Sequence, residues 1–404
     1  MPSLRSTQSY ISQVEKFSAH NYHPLEVVIS QGEGVWLWDV HGKKYMDCLS
    51  AYSAVNQGHC HPKILSALTE QAERLTLSSR GFHNDQMGAF LQELCEFSGF
   101  EQALPMNSGA EAVETALKIA RKWGYKVKGI PDSKAEIIVA NNNFHGRTIS
   151  IISFSTEESY RDGFGPFTPG FKILPFGDLS AIEKCINSNT VAILLEPIQG
   201  EAGILLPPEG YLLGVQKLCK RNRILLALDE IQTGLGRTGK RFCFDHELTE
   251  IPDILILGKA LSGGFYPVSA VLSTREIMSV IKPGEHGSTF GGNPLGAAVS
   301  RAALKVIHDE KLAERAQEMG QHLMSRLKKI QHPRIKEVRG RGLMIGVEIN
   351  SQHGAARVYC EKLMKEGVLV KDTHEQTLRI APPLVIEKDE MDWLLERLEK
   401  VLAT

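Results

Sequence analysis

The segment LILGKALSGGFYPVSA, residues 255–270, begins as an apolar run and continues into a glycine-rich turn. The run predicts a buried β-strand, and Lys259 follows it after a single glycine. A buried ammonium group must be paired, reach solvent or give up its proton, because it loses the solvation of water. The segment therefore predicts either a lysine that extends to the surface or a lysine whose neutral amine takes part in chemistry.

Two apolar runs upstream end in the same way, each with an acidic residue. NTVAILLEPIQGE (189–201) leads to Glu196, and RILLALDEIQTG (223–234) leads to Asp229. The intervals from Glu196 to Asp229 and on to Lys259 are 33 and 30 residues, about one strand–helix–strand unit. Continuous apolar strands suit a mostly parallel sheet covered on both faces, and ligands bind at the carboxyl ends of such strands. We therefore expect an α/β fold with all three side chains at one edge of the sheet.

A helix that could bind an anion is predicted within MNSGAEAVETALKIARKWG, residues 106–124. Its S-x-x-E sequence forms a capping box, and a glycine in the first turn exposes backbone N–H groups at the positive end of the helix dipole. Ser108, Gly109 and Ala110 are candidates for a phosphate site. An ordinary helix cap would have the same pattern.

The character of the chain changes after residue 283, which predicts a second domain. Asn293 and Pro294 fit the N-cap and first residue of a linking helix, and short strands and helices alternate after it. We expect a large domain over residues 51–292 and a smaller α+β domain over 293–404, which residues 1–50 join. Within the large domain, PEGYLLGVQKLCKRNR (208–223) predicts a helix with Pro208 near its start.

The composition narrows the range of partners and compartments. The 404 residues include 46 Lys and Arg against 47 Asp and Glu, for a net charge of −1, which argues against a nucleic-acid or membrane partner. The N-terminus has no apolar signal core, and seven cysteines stand apart without a CxxC motif. We therefore expect a cytoplasmic location. His59 and His61 in GHCHP are too close in sequence, with no partner pair nearby, to predict a metal site.

The strand-end lysine, the strand-end aspartate and the helix start together fit pyridoxal phosphate. This cofactor needs an amine for covalent attachment, an acid to keep its pyridine nitrogen protonated, and donors for its phosphate. Taken singly, Asp229 could cap a helix and Lys259 could be a surface charge. Their order and spacing favour the cofactor.

A P-loop nucleotide site is the main alternative, because GLGRTGKR (234–241) contains G-x-x-x-x-G-K. Arg241 stands where the motif requires a magnesium-binding Ser or Thr. The loop also follows an acidic strand, whereas a P-loop precedes one. A scaffold protein would give no reason to end apolar strands in Glu, Asp and Lys.

The chain resembles the class III (ω-amino acid) aminotransferases of fold type I. The resemblance rests on SGAEAVETALKIAR, FHGRT, EPIQGEAG, LALDEIQTGLGRTG, LGKALSGG and GSTFGGNPL, and covers essentially the whole chain. It implies a fold type I PLP-transferase, with a large domain whose mostly parallel central sheet is flanked by helices and a smaller α+β domain. It also implies a homodimer or higher homo-oligomer with active sites at the subunit interface.

The resemblance implies a role for each cofactor residue. Lys259 would hold the cofactor covalently and move the substrate proton, and Asp229 would pair with the pyridine nitrogen. Phe144 would stack on the ring, and Gln232 would contact its hydroxyl. The phosphate would be held by Ser108, Gly109 and Ala110, together with Ser288 and Thr289 of the neighbouring subunit.

Within the family, HNYHPLEVV, SAYSAVNQGHCHPKI, RKWGYKVKGI and KPGEHGSTFGGNPLG are most similar to the subgroup that transfers the δ-amino group of L-ornithine to 2-oxoglutarate. This resemblance implies that Tyr22 contacts the α-amino group and Arg147 the α-carboxylate. Arg379 would bind the second carboxylate of 2-oxoglutarate, Glu201 would neutralise Arg379 while ornithine is bound, and Tyr52 would lie beside them. Acetylornithine, succinylornithine and 4-aminobutyrate remain alternative substrates. His145 departs from some members of the subgroup, which carry tryptophan there.

Overall fold

The computed structural model describes residues 6–403. The strands are β1 Ile29–Glu33, β2 Trp36–Asp39, β3 Lys44–Asp47, β4 Gln102–Met106, β5 Glu136–Ala140, β6 Phe171–Leu174, β7 Thr190–Leu195, β8 Leu225–Asp229, β9 Ile254–Leu257, β10 Ser269–Ser273, β11 Ile335–Arg341, β12 Met344–Ile349, β13 Val368–Leu369, β14 Lys371–Thr373 and β15 Thr377–Ile380. The α-helices are Thr7–Phe17, Pro62–Ala72, Met87–Ser98, Gly109–Trp123, Ile149–Ile152, Leu179–Cys185, Tyr211–Asn222, Arg275–Met278, Pro294–Asp309, Leu312–Leu327, Ala356–Lys365 and Lys388–Ala403.

The central sheet has seven strands in the order β4-β10-β9-β8-β7-β5-β6. Neighbours from β9 to β6 pair in parallel, whereas β10 runs antiparallel to both β9 and β4. Every residue of β7, β8 and β9 is buried, because helices cover both faces of the sheet. The predicted α/β fold with a mostly parallel central sheet is confirmed.

The helix Gly109–Trp123 packs on this sheet through the face that its apolar spacing predicts. Val113, Ala116 and Ile119 are buried in a core with strand residues such as Ile137 and Ile256, and burying one such valine or isoleucine contributes about 1.5–3 kcal/mol. The capping box forms as expected, since the Ser108 hydroxyl accepts from the Glu111 amide and the Glu111 carboxylate accepts from the Ser108 amide.

One helix begins later than the sequence pattern indicates. The segment after β7 becomes helical at Tyr211, not near Pro208, because Gly210 takes a positive φ of 79° as the N-cap. The linking helix agrees with its expected start, as the Asn293 side chain caps the amide of Gly296 and Pro294 is the first helical residue.

Two four-stranded sheets lie outside the central one, in the orders β1-β2-β3-β13 and β11-β12-β15-β14. In the first, Met46 and Asp47 of β3 pair in parallel with residues 368–369 of β13, so segments from near the two ends of the chain share a sheet. Trp36 of β2 also donates to Glu390 of the last helix over 2.7 Å. The expected boundaries at residues 50 and 292 stay a prediction, and residues 1–5 and 404 of the outer segments lie outside the described residues.

The glycine-rich segment 234–241 joins parts of the fold through Arg237. Arg237 is fully buried and donates to Asn56 Oδ1 and to the carbonyls of Leu343 and Pro382. Burial, followed by the charge of Arg379, lowers the pKa of Arg237 to about 9. In the part of the chain described, no helix is long and apolar enough to cross a membrane.

Candidate active site

Three neighbouring strands bring the predicted lysine and acids to one edge of the central sheet. Glu196 follows β7, Asp229 ends β8, and Lys259 comes two residues after β9. The side chains meet at a cavity of about 190 Å³, whose lining includes Gly109, Ala110, Phe144, His145, Glu196, Asp229, Gln232 and Lys259. Four of the predicted cofactor contacts, besides the lysine and the aspartate, therefore face the same space.

Lys259 presents an amine that loses its proton easily. Its backbone has a φ of 47°, directly after Gly258. Within residues 6–403 its Nζ makes no hydrogen bond, and it lies 6.0 Å from the centroid of the Tyr52 ring. Burial, followed by the positive charge of Arg379, lowers the pKa of Lys259 to about 8 from its ordinary 10.5. A substantial fraction is thus neutral near physiological pH, as a nucleophilic amine requires.

Asp229 is held by His145, a residue that has no predicted role. Its Oδ2 lies 2.7 Å from His145 Nδ1, and its Oδ1 accepts from the Ile231 amide. Burial lowers the pKa of His145, but the hydrogen bond and charge of Asp229 outweigh it and raise the pKa overall. The imidazole therefore fixes the position of the carboxylate.

The only sequence signal for His145 is its place in the FHGRT segment beside Phe144. The two partners are 84 residues apart, and no local pattern relates them.

Glu196 shapes the wall beside this pair. Its Oε2 accepts from the Phe144 amide over 3.0 Å, which fixes the backbone of that aromatic residue. Burial raises the pKa of Glu196 to about 8, against the opposing charge of His145. Glu196 is therefore largely protonated at neutral pH, so it adds little negative charge beside Asp229.

The helix that starts at Gly109 supplies an anion cradle. The Ser108 amide is taken by Glu111, while the amides of Gly109 and Ala110 have no acceptor among the described residues. A Cβ on Gly109 would stand 2.9 Å from Ile231 Cδ1, so the first turn lies close against the segment after β8. These free donors at a helix N-terminus suit a phosphate.

Glu201, Gln232 and Arg379 form a connected polar group at the edge of the cavity. Arg379 Nη1 lies 3.1 Å from Glu201 Oε1 and donates to Gln232 Oε1 over 2.8 Å, and Gln232 Nε2 donates to the same Glu201 oxygen. The side chain of Arg379 is 1% exposed and that of Glu201 25%. A carboxylate that retains access to solvent thus neutralises an arginine that has almost none.

Tyr52 and Ser53 lie against the other side of Arg379. The guanidinium carbon is 5.6 Å from the Tyr52 ring centroid, and Nη2 donates to Ser53 Oγ over 3.3 Å. Burial, then the charges of Glu201 and Tyr22, raises the pKa of Tyr52. Tyr22 is 75% exposed.

The remaining predicted residues lie on the rim or away from the cavity. Arg147 is exposed and stacks on Tyr160, with its guanidinium carbon 3.8 Å from that ring centroid. Ser288 accepts from Asn107 of its own chain over 2.6 Å, and Thr289 is exposed. Within this chain, Ser288 and Thr289 thus make no contact with the cavity.

The two histidines of GHCHP each lie within hydrogen-bonding distance of a carboxylate, His59 of Asp47 and His61 of Glu310. Within residues 6–403 no group of three or more His, Cys, Asp and Glu side chains is arranged to hold a metal ion.

The residues at the cavity fit pyridoxal phosphate. The free amides at the helix start can bind a phosphate, and the carboxylate fixed by His145 can pair with a protonated ring nitrogen. The Lys259 amine, whose pKa is lowered, can attach covalently to the aldehyde carbon of the cofactor. The fit rests on three different chemical groups facing one space.

Comparisons with known proteins agree on one family. The family model "Aminotransferase class-III" matches residues 17–402. An ornithine aminotransferase from Brevibacillus brevis is 58% identical over 399 residues, covering 99% of both chains. One from Bacillus subtilis is 54% identical over 402 residues, covering 100% of this chain and 99% of that one.

Solved structures show the same likeness. An ornithine aminotransferase from Toxoplasma gondii, with PLP at partial occupancy in its active site, superposes with a TM-score of 0.97 at 45% identity, covering 99% of this chain and 95% of that one. An acetylornithine aminotransferase from Elizabethkingia anophelis gives 0.90 at 49% identity, covering 98% and 99%.

Proposed function

We propose that this chain, which belongs to the class-III aminotransferases and is a PLP-dependent aminotransferase, transfers the δ-amino group of L-ornithine to 2-oxoglutarate. The products are glutamate-5-semialdehyde, which cyclises to pyrroline-5-carboxylate, and glutamate. When bound, the cofactor carries the amino group between the two substrates and withdraws electrons from the reacting carbon.

The Glu201–Arg379 pair is the observation that carries the substrate assignment. Ornithine has one carboxylate and a distal amine, whereas 2-oxoglutarate has two carboxylates, so the site must offer a second cation in one half-reaction only. A buried arginine neutralised by a more exposed carboxylate provides that alternation. Glu201 pairs with Arg379 while ornithine is bound and leaves it when the second carboxylate arrives.

The residues of the cavity floor do the remaining work. The Lys259 amine would hold the cofactor and, once released, would take the proton from the substrate carbon that bears the transferred amine. Asp229, fixed by His145, would keep the proton on the ring nitrogen. Phe144 would pack against the ring, and Gln232 would contact its hydroxyl.

At the outer end of the site, Arg147 would pair with the α-carboxylate of ornithine and Tyr22 would contact its α-amino group. Both side chains are exposed, and the Arg147 guanidinium carbon lies 5.8 Å from the Phe144 ring centroid. Ser288 and Thr289 would reach the phosphate in the partner subunit of a homodimer, because neither faces the cavity of its own chain.

The principal alternative substrate is Nα-acetylornithine, since a relative of that activity is 49% identical in a superposable structure. The ornithine aminotransferases with 54–58% identity favour the free amine. A tyrosine hydroxyl placed for a charged α-amino group also disfavours an acylated one.

The test is a half-reaction on the purified holoenzyme without a keto acid, followed through the visible absorbance of the cofactor. L-Ornithine, Nα-acetyl-L-ornithine and 4-aminobutyrate are compared, and bleaching with ornithine should be at least about tenfold more efficient. Tyr22→Phe should reduce this preference, whereas Tyr10→Phe, in the exposed N-terminal helix, should not. Preference for the acetylated substrate would contradict the proposal while leaving the aminotransferase assignment intact.

A further inference from the structure

The segment that presents Tyr52 and Ser53 to Arg379 has an unusual backbone. Four consecutive residues, 50–53, have φ values of 51°, 45°, 60° and 70°. None is a glycine, and each pays a steric cost in this left-handed region. Such conformations persist only where the surrounding structure imposes them, and they concentrate at functional sites. The surroundings of residues 50–53 must therefore supply the restraint.

Asp47 supplies that restraint at the start of the turn. Its Oδ1 accepts from the amides of Leu49 and Ser50 over 2.8 and 2.9 Å, and its Oδ2 lies 2.7 Å from His59 Nε2. The side chain is almost completely buried. One carboxylate thus fixes the two amides that enter the turn, and the imidazole fixes the carboxylate.

The turn is also tied to the strand that carries Arg379. Ser50 Oγ donates to the Ala381 carbonyl over 2.7 Å, and the Ala381 amide donates to the Cys48 carbonyl over 2.7 Å. Ala381 follows Arg379 by two residues. The turn and the arginine are therefore held as one unit, with Ser53 Oγ accepting from the guanidinium at its far end.

We propose that Asp47 is a positioning residue for dicarboxylate recognition: it holds the left-handed turn, and the turn holds Tyr52 and Ser53 against Arg379. This inference rests on the proposed function, in which Arg379 receives the second carboxylate of 2-oxoglutarate. Asp47 touches neither substrate nor cofactor, so its loss should weaken recognition of the second carboxylate and spare the groups that bind the first.

The test compares two unreactive ligands on the holoenzyme by calorimetry. Glutarate has the two carboxylates of 2-oxoglutarate, and pentanoate has only one. The wild type should bind glutarate at least about tenfold more tightly, because only glutarate reaches Arg379. Asp47→Ala should lower the affinity for glutarate about tenfold and change the affinity for pentanoate less than about twofold. Asp47→Asn, which keeps an oxygen for both amides, should restore most of the glutarate affinity.

Asp39 provides a matched control in the same N-terminal sheet. Its Oδ1 accepts from the amides of His41 and Lys43, and its Oδ2 accepts from the Tyr45 hydroxyl. Asp39→Ala therefore removes a similar set of bonds without touching the left-handed turn. It should leave the ratio of the two affinities unchanged.

The outcomes distinguish failure of the proposed function from failure of the proposed role of Asp47. A wild type that fails to distinguish glutarate from pentanoate overturns the role of Arg379, and with it this inference. The role of Asp47 alone is overturned if the wild type distinguishes the two ligands and Asp47→Ala keeps the same ratio of affinities. It is likewise overturned if Asp47→Ala loses affinity for both ligands equally. If Asp47→Ala does not fold, Ser50→Ala should weaken glutarate selectively by about threefold, and an unchanged ratio there overturns the inference.

Discussion

Glu196, Asp229 and Lys259 stand at the ends of three adjacent strands in which every residue is buried, whereas Tyr22, Arg147 and Thr289 are exposed and lie on segments without regular structure. The first group forms the floor of the site, and we call the second group, whose roles are proposed, its rim. The floor is fixed by packing of the core. The rim side chains are not held by the core, so their proposed contacts with substrate or with a partner subunit are where related enzymes can differ in substrate.

Loss of the floor lysine should have the largest effect on this comparison. Lys259→Ala should lower both half-reactions by at least about 10³-fold, because it removes both covalent attachment and proton transfer. Stopped-flow absorbance with ornithine measures the loss, and the visible band of the bound cofactor should change as well. Lys128→Ala is the control, since burial also lowers the pKa of Lys128 but its amine donates to the Thr190 and Asn222 carbonyls. Near-normal rates in Lys259→Ala would show that Lys259 is not needed for the reaction.

The boundary between floor and rim can be tested at Glu201. Glu201→Ala leaves Arg379 unpaired, so glutamate should become a better amino donor, and the ratio of its kcat/KM to that of ornithine should rise about tenfold. Single-turnover bleaching with each donor measures the ratio. Glu209→Ala, on the turn before the helix Tyr211–Asn222, should leave the ratio as it is. An equal ratio in Glu201→Ala and the wild type would show that the pair does not control donor choice.

The pH dependence of cofactor binding tests how the charges of Arg379 and Glu201 affect Lys259. The pKa of Lys259 is lowered to about 8, so its neutral form increases as pH rises through 8, and capture of PLP by the apoenzyme should accelerate over that range. Arg379 lowers this pKa and Glu201 raises it. Arg379→Gln should therefore move the midpoint up, and Glu201→Gln should move it down, each by about one pH unit or less. If the wild type, Arg379→Gln and Glu201→Gln have the same midpoint, the charges of Arg379 and Glu201 do not affect the pKa of the Lys259 amine.

The smallest effect is expected at the rim contact assigned to the partner subunit. Thr289→Ala should weaken PLP binding about fivefold without lowering the melting temperature of the apoenzyme, because one hydrogen bond to the phosphate is lost. Equilibrium dialysis of the cofactor measures the change. Thr249→Ala is the control, as this exposed threonine precedes β9 and so lies toward the opposite edge of the sheet. Unchanged PLP affinity in Thr289→Ala would argue against a phosphate contact across the interface.

The sequence predicted the floor well because local patterns determine it. Continuous apolar runs marked β7, β8 and β9, and the residues that follow them necessarily meet where parallel strands end. The capping box at Ser108 likewise depends on residues three apart. Each of these features can be read within a single element.

Other parts of the site lay beyond local patterns. His145 meets Asp229 across 84 residues, and Glu201 meets Arg379 across 178, distances over which no periodicity relates two side chains. The left-handed turn at residues 50–53 has no glycine to announce it. Only the family resemblance pointed to Glu201 and Arg379, and nothing in the sequence pointed to Asp47.

The parallel pairing of β3 with β13 has a consequence for how the protein is made. Residues 44–47 leave the ribosome first, yet their partners at 368–369 are more than three hundred residues behind them. The strands that deliver Glu196, Asp229 and Lys259 are complete well before that, so the cofactor half of the site can take shape on a nascent chain. The part proposed to bind the second carboxylate, with Asp47, its turn and Arg379, is completed only when the last tenth of the polypeptide arrives. Synthesis thus orders the two halves of the site in time.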